Sequence, residues 1–338
     1  MNQTGKNYLT HSAGNWRSRC SFALLAFVLV GISPAPAAAS DKTTAGTRTI
    51  HFPDQSLGGL LLVRPHTDFD LDGAPRLGIA KGTVTLKVPA NRQLMLDLNR
   101  NIVQNPALLE NLRLNGVERL KVNINGLDQV EHVADRVLQH VSPSICITCL
   151  DVHLSDATDD GLKRAAKIVS LTDLNASHCE ISGSSLPALA ALPGLERLSL
   201  SFCPLQSKNL GAFAGFKKLK TVDLQVTDID DAGIKSLCTC TSIEKLILEG
   251  NRKISDKSIP YLLELKHLKS LNLKGTTISI SGVSKLSVLN LKDLTLPFKY
   301  CTRDDKARLH KLFAGTKLGF AERPQLNEWQ KEIFAPLK

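Results

Sequence analysis

The sequence predicts an α/β solenoid in which short parallel strands line the concave face and return helices line the convex face. Three observations support this. The phrase L-x-x-L-x-L, or a close aliphatic variant, recurs seven times within residues 147–296 at intervals of 23 to 25 residues, and a fixed period of this size is typical of a solenoid. Alternating apolar residues within a phrase, such as Leu198 and Leu200, indicate a strand. Apolar residues at helical spacing follow, as at Ile234 and Leu237.

Residues 1–39 are predicted to be a signal peptide. Lys6, Arg17 and Arg19 precede an apolar run, CSFALLAFVLVGI, and a small-residue segment ends at Ala39. The run of about 13 residues is too short to span a bilayer as a helix, so we expect export to the periplasm or the outside of the cell rather than a membrane span. An uncleaved anchor is the alternative. Cleavage would lower the formal net charge from +10 to +7.

The segment between the signal and the repeats is predicted to form a small β-rich unit. Residues 40–47 are expected to be a tether and residues 48–116 the β-rich unit, with strand-like alternation clearest at 83–88 and 94–98. Helices are expected around 106–112 and 127–141.

Repeats are predicted over residues 117–298, with a degenerate first strand near 117–122. Each unit is expected to contain a strand, a polar helix start such as Ser182, Asp230 or Ser279, and a return helix. A solenoid needs covered ends, so residues 299–338 are predicted to be a C-terminal helical cap with a helix around 306–313.

Two consecutive segments carry a family resemblance. LTDLNASHCEISGSSLPALAALPG (171–194) and LERLSLSFCPLQSKNLGAFAGFKK (195–218) resemble leucine-rich repeats with Asn or Cys at the ninth position, which Cys179, Cys203 and Asn251 occupy. The next segment, LKTVDLQVTDIDDAGIKSLCTCTS, resembles a bacterial variant whose return segment begins T-D-x-x-D-x-G. The resemblance implies an exported bacterial binding protein, and it departs at Ala176, where a Leu is expected.

The third, fifth and seventh positions of each repeat are expected to face the concave surface, because alternate strand residues share a face. These positions hold hydrogen-bonding side chains, with acids toward the first repeats and lysines toward the later ones. An ordinary solvated sheet face is the alternative to a binding surface. The candidate binding residues are Asp151, His153, Asp173, Asn175, Arg197, Ser199, Thr221, Asp223, Gln225, Lys245, Glu249, Asn272 and Lys274.

The cysteines do not predict a cofactor or a catalytic centre. Cys146 and Cys149 flank one strand start, about 10 Å apart by the rise per residue, which is too far for a disulfide. Their pair and the later Cys238-x-Cys240 pair lie several repeats apart, so no shared zinc site is expected. Small polar groups at the ninth position, Cys179 and Cys203 among them, are instead expected to satisfy backbone groups. A redox switch between adjacent repeats is the alternative.

An acidic turn offers a weak calcium candidate. Asp68, Asp70, Asp72 and the following Gly73 match the opening of a Ca²⁺ loop, but the twelfth position, which should be Glu, is Ile79. A β-turn is the simpler interpretation, so no metal is predicted.

The predicted function is non-catalytic binding of a protein or surface glycan or other polymer through the concave face. A nucleic-acid partner is not expected, because the basic residues are dispersed and no stacking aromatics accompany them. Two alternatives stay open: an enzyme or calcium module in the β-rich unit with the repeats as a targeting arm, and a secreted effector resembling ubiquitin-ligase substrate adaptors.

Overall fold

The computed structural model describes residues 46–65, 74–110, 112, 114, 116–124, 132–296 and 302–320. Within them, ten strands pair in parallel in the order of the chain along one sheet, and return segments join them. The predicted signal peptide and the start of the tether lie outside the described residues.

Strands of the repeats are short, three or four residues each. The strand at 119–121 precedes the regular array of repeats, and the strand at 317–320 follows it. Their bounds are β6 Arg119–Lys121, β7 Cys149–Asp151, β8 Asp173–Asn175, β9 Arg197–Ser199, β10 Thr221–Asp223, β11 Lys245–Ile247, β12 Ser270–Asn272, β13 Asp293–Leu296 and β14 Lys317–Phe320. Each of these strands forms one rung of the solenoid.

The strands predicted for the N-terminal segment are present, and three of them extend the same sheet. β5 pairs in parallel with β6, β2 pairs antiparallel with β5, and β3 pairs antiparallel with β2. A separate two-stranded sheet joins β1 and β4. The bounds are β1 Gly46–His51, β2 Gly58–Val63, β3 Arg76–Ile79, β4 Thr83–Val88 and β5 Gln93–Leu98.

Return segments alternate between short α-helices and 3₁₀ helices. The α-helices are α1 Val133–His140, α2 Asp159–Ala165, α3 Leu186–Ala190, α4 Asp231–Leu237, α5 Ile259–Leu262, α6 Ile280–Lys285 and α7 Arg303–Leu312. The 3₁₀ helices are Arg100–Val103, Pro106–Leu109, Ser207–Gly215, Asp256–Ser258 and Leu286–Val288.

Two features differ from the sequence-based expectation. A return α-helix was expected in every repeat, but residues 207–215 form a 3₁₀ helix. Gly211 and Gly215 within it have low α-helix propensity, which weakens the preference for an α-helix over the tighter 3₁₀ form. The C-terminal cap is not purely helical, because β14 follows α7 and adds a rung.

One continuous hydrophobic core runs the length of the described solenoid, from Ile50 to Phe313. The aliphatic residues of each rung, such as Leu198 and Leu200, stack on those of the next and are almost fully buried. Stacking therefore supplies the burial that no single repeat can achieve.

Candidate functional site

Parallel pairing aligns the predicted binding residues in columns across the rungs. Asp151, Asn175, Ser199 and Asp223 are in register on β7 to β10. Side chains two apart on a strand share a face, so the third, fifth and seventh repeat positions form one polar surface. All thirteen predicted residues lie on strands β7 to β12 or two residues beyond a strand end.

The first part of this surface, on β7 to β9, is closed to solvent. Asp151, Asp173 and Asn175 are only 2 %, 4 % and 3 % exposed, and Ser199 is also buried. The hydroxyl of Ser177 donates to Asn175 Oδ1 at 2.6 Å and lies 2.8 Å from the hydroxyl of Ser199. Buried polar groups require partners, and these side chains find them in one another.

Two polar contacts satisfy the buried acids of the same region. The Arg197 guanidinium contacts the carboxylate of Asp173. The Asp151 Oδ1 atom lies 2.8 Å from His153 Nδ1. The structure therefore places six of the predicted residues in three small groups of mutual polar contacts, and Arg197 and His153 are the more accessible of the six.

The second part of the surface, on β10 to β12, is half-buried. Its predicted residues are Thr221, Asp223, Gln225, Lys245, Glu249, Asn272 and Lys274. Glu249 organises one end, since its Oε1 lies 2.7 Å from Lys274 Nζ and its Oε2 accepts from Asn272 Nδ2 at 3.0 Å. Burial raises the pKa of Asp223, against hydrogen bonds from the Gln225 backbone and the Ser199 hydroxyl that favour the charged form.

A second column, the rim column, follows the strands at the eighth position of six successive repeats. Its backbone is left-handed in every repeat. It comprises Leu154 (φ 56°), His178 (φ 56°), Phe202 (φ 59°), Val226 (φ 50°), Gly250 (φ 79°) and Gly275 (φ 73°). Glycine adopts this conformation freely, whereas other residues are strained in it, β-branched valine above all. Sequence reasoning missed the rim column, although the glycines at 250 and 275 mark the position.

Side chains of the rim column remain accessible. Leu154 is 38 % exposed, and His178, Phe202 and Val226 are half-buried. The rings of His178 and Phe202 stack with centroids 4.2 Å apart and planes inclined by 10°. Burial lowers the pKa of His178, with a further contribution from nearby His153, so the neutral ring is favoured in the stack.

Ninth-position side chains point into the solenoid and bind backbone carbonyls. Cys179 Sγ donates to Val152 O at 3.1 Å and Cys203 Sγ donates to Ala176 O at 3.0 Å. Asn251 Nδ2 donates to Leu224 O at 2.7 Å. These carbonyls belong to the preceding repeat, so the ninth position links successive rungs.

The buried thiols of Cys149 and Cys179 are poor nucleophiles. Burial raises the pKa of Cys149 to about 12 and that of Cys179 to about 11, so both remain protonated near neutral pH. The six described cysteines, from Cys146 to Cys240, form no disulfide with one another.

No metal centre is found in the part of the chain that the structure describes. There, no group of three or more His, Cys, Asp or Glu side chains could hold an ion. The calcium candidate, formed by Asp68, Asp70 and Asp72, lies outside the described residues.

Comparison with protein families identifies the repeats. The model described as a leucine-rich repeat matches residues 217–238 and 264–287, in the array that contains the columns above. The chain therefore contains leucine-rich repeats. A comparison with curated protein sequences finds no match.

Solved structures similar to this leucine-rich repeat chain include two internalins of Listeria monocytogenes. Internalin inlF is 20 % identical with a TM-score of 0.43, and the match covers 56 % of this chain and 49 % of inlF. Internalin C2 is 22 % identical with a TM-score of 0.39, and the match covers 57 % of this chain and 79 % of internalin C2. Rad7, from the yeast Rad7–Elc1 complex, is 17 % identical with a TM-score of 0.45, covering 60 % and 54 %. The chain thus spans about half the length of inlF and of Rad7.

The fold class is that of an interaction scaffold. Leucine-rich repeat proteins are generally non-catalytic and bind protein partners. Among the described residues, no helix has the length and apolar character needed to cross a membrane.

Proposed function

We propose that this chain is an exported, non-catalytic binding protein that holds a protein partner against β10 to β12 and the adjoining rim column. The observation that carries the proposal is the backbone conformation of the rim column. Four successive repeats keep bulky side chains at a position where two later repeats have glycine.

Keeping those side chains has a conformational cost. A left-handed residue other than glycine is unfavourable by about 1–2 kcal/mol. Stacking of His178 on Phe202 recovers about 0.5–1.5 kcal/mol, but Leu154 and Val226 have no such ring contact. Strain that is retained at accessible residues favours a role in function over a role in stability.

The surroundings of the rim column suit a protein partner. Protein interfaces combine apolar or aromatic anchors with a polar periphery that supplies hydrogen bonds. Phe202 and Val226 would act as the anchors. The half-buried polar residues Gln225, Glu249 and Lys274 lie one position before the rim column in their repeats and would form that periphery.

A pair of substitutions tests the proposal directly. Phe202→Gly with Val226→Gly removes two anchors and places glycine where the backbone is left-handed. Partners would be captured on the immobilised chain 40–338, identified by mass spectrometry, and their affinities measured by calorimetry. We expect the double variant to lose at least about tenfold in affinity, since anchors at interfaces contribute on the order of 2 kcal/mol each.

The control removes exposed apolar residues elsewhere. Val169 and Val288 are 65 % and 75 % exposed and lie outside the two columns, so Val169→Ala with Val288→Ala should leave affinity unchanged. Equal affinity of the wild type and the Phe202/Val226 variant for every captured protein would overturn the proposal.

Export is part of the proposal and has its own test. The basic start, short apolar run and Ala-rich end of residues 1–39 support a cleaved signal. Mass spectrometry of the secreted chain should give Ser40 as the first residue. Recovery of intact chain in the cell, beginning at Met1, would contradict export.

A further inference from the structure

The later repeats carry a basic edge on the side of the sheet where strands begin, away from the rim column. We define the basic edge as Lys217, Lys218, Lys220, Lys266, His267 and Lys269, which precede β10 and β12. All six side chains are exposed. The three residues before β10 form one group and the three before β12 form another, and the two groups lie two rungs apart, about 10 Å at the usual strand spacing.

The rung between them brings the two groups into one patch. Glu244 Oε2 lies 2.5 Å from Lys269 Nζ. The hydrogen bond from Lys269 lowers the pKa of Glu244, and the charges of Lys220 and His267 lower it further. The Glu244 carboxylate therefore interacts with cations of both groups, so the two groups belong to one patch.

Acidic partners neutralise only part of this charge. Lys220 pairs with Glu196 at 3.0 Å and Lys269 with Glu244, whereas Lys217, Lys218 and Lys266 contact no carboxylate among the described residues. These three lysines give the patch an uncompensated positive charge.

Charge is also distributed unevenly along the chain. Residues 141–205 contain four Lys and Arg against seven Asp and Glu, while residues 206–320 contain twenty against eleven. A one-signed field over part of the surface attracts an oppositely charged ligand to that part. The basic edge lies within the positive half.

The composition of the edge restricts the ligand. It holds no Phe, Tyr, Trp or Arg side chain, so it lacks the main stacking groups that single-stranded nucleic acids use. It holds no exposed apolar side chain that would insert into a lipid surface. Lysines act as flexible point charges and suit anionic groups spaced along a polymer.

We infer that the basic edge binds a linear polysaccharide that carries carboxylate or sulfate groups. The polymer would run along the rungs and contact the lysine groups before β10 and β12 in turn. This site is on a different side of the sheet from the proposed protein-binding surface, so the two ligands would not compete.

The test uses two variants of equal charge. Lys217→Gln/Lys218→Gln/Lys266→Gln removes the uncompensated lysines of the edge. Lys235→Gln/Lys257→Gln/Lys285→Gln removes three exposed lysines of the return segments and is the control. Binding of each chain to dextran sulfate and to polygalacturonate is measured by calorimetry, with uncharged dextran as the blank.

We expect the edge variant to lose about tenfold or more in affinity for both polymers, and the control variant less than about twofold, because local charge density governs the attraction. Raising the salt concentration should weaken the wild type more than the edge variant. Circular dichroism and thermal unfolding establish that both variants are folded.

Several results would overturn the inference. Equal losses in the two variants would indicate attraction by net charge alone. Tighter edge-dependent binding to single-stranded DNA, or to vesicles of phosphatidylserine and phosphatidylcholine, would assign the edge to nucleic acid or to membrane instead. The Phe202/Val226 variant should bind both polymers like the wild type, so failure here is distinguishable from failure of the proposed protein-binding function.

Discussion

Two junctions between repeats on the convex side are held in different ways. At the first, between α2 and α3, Asp159 accepts four hydrogen bonds, from the backbone N–H and the hydroxyl of both Ser182 and Ser185, at 2.7–2.9 Å. At the next, Gly183 takes the place of the aspartate, and Gln206 makes no side-chain capping bond. A carboxylate that links one return segment to the next is present at one junction and absent at its neighbour.

The same aspartate link recurs elsewhere. Asp135 accepts from Thr158, Asp231 from Ser255 and Ser258, and Asp256 from Ser279. Each acceptor precedes its first donor by 23 or 24 residues, so the link joins equivalent sites in consecutive repeats.

Where the link is missing, the convex surface opens. A groove of about 560 Å³ lies between α3 and the 3₁₀ helix Ser207–Gly215, lined mainly by small residues such as Gly183, Ala190, Gly211 and Gly215. Neighbouring repeats there depend on the sheet and the aliphatic core, together with hydrogen bonds to Ser182 O from the Gln206 backbone N–H and from Asn209 Nδ2, both at 3.0 Å. Stability in a solenoid is a sum of such nearest-neighbour terms, so this junction should be the weaker one.

Breaking the strong junction should have the largest effect. Asp159→Ala leaves the N–H groups of Ser182 and Ser185 without their acceptor, and we expect the free energy of unfolding to fall by about 3 kcal/mol, as for charge-assisted hydrogen bonds. Urea unfolding measures it. Asp160→Ala is the control, because the exposed Asp160 contacts only Lys163 in an ion pair, and should cost less than about 0.5 kcal/mol. Equal losses would show that the link does not stabilise the junction.

Acid should weaken the same junctions without mutation. Burial opposes ionisation of Asp159, but the hydrogen bonds from Ser182 and Ser185 outweigh it and lower its pKa below the ordinary 3.8; Asp231 behaves alike. A depressed carboxylate pKa stabilises the fold above the unfolded value and loses that contribution as pH falls through the folded value. Stability measured from pH 5 downward should therefore fall below about pH 4, and less steeply in Asp159→Asn.

This comparison also shows what sequence patterns can predict. The L-x-L alternation predicts the strands because it reflects burial within one repeat. Asp230 and Ser279 were expected at helix starts, and each accepts a bond from a backbone N–H three residues on. Ser182 was a comparable candidate, yet its hydroxyl donates to Asp159 in the previous repeat. Links across repeats are visible in the sequence only as Asp–Ser pairs about one period apart.

The candidate surface was predictable in register but not in accessibility. Repeat positions three, five and seven predict which residues share a face. They do not predict that Asn175 and Ser199 are buried, because that depends on hydrogen bonds between neighbouring rungs. The rim column was not predicted because Phe202 and Val226 stand at positions where a glycine would have indicated a left-handed backbone.

A reversed pair offers a smaller test of the comparison. At the junction after the groove, the aspartate, Asp230, lies at the helix start and the serine, Ser207, lies in the preceding repeat. The Ser207 hydroxyl accepts from the Asp230 backbone N–H at 3.3 Å. Hydrogen bonds from the Gly233 N–H and then from the Ser207 hydroxyl lower the pKa of the Asp230 carboxyl. Ser207→Asp would place a second carboxylate beside that of Asp230, and the repulsion should lower the free energy of unfolding by about 1 kcal/mol. Adding Asp230→Ser restores the usual polarity and should recover most of that loss in a double-mutant cycle. Purely additive losses would contradict pairing between these residues.

The smallest expected effect concerns the rim column. Burial holds the pKa of His178 below its ordinary 6.5, so protonation favours the unfolded chain. A depressed histidine pKa leaves stability intact above pH 6.5 and reduces it as pH falls from there toward the folded value. We expect a slight fall in thermal stability between pH 7 and pH 5 that His178→Phe abolishes, since a phenyl ring keeps the stack on Phe202 and cannot titrate. An unchanged fall in that variant would assign the pH dependence to another group.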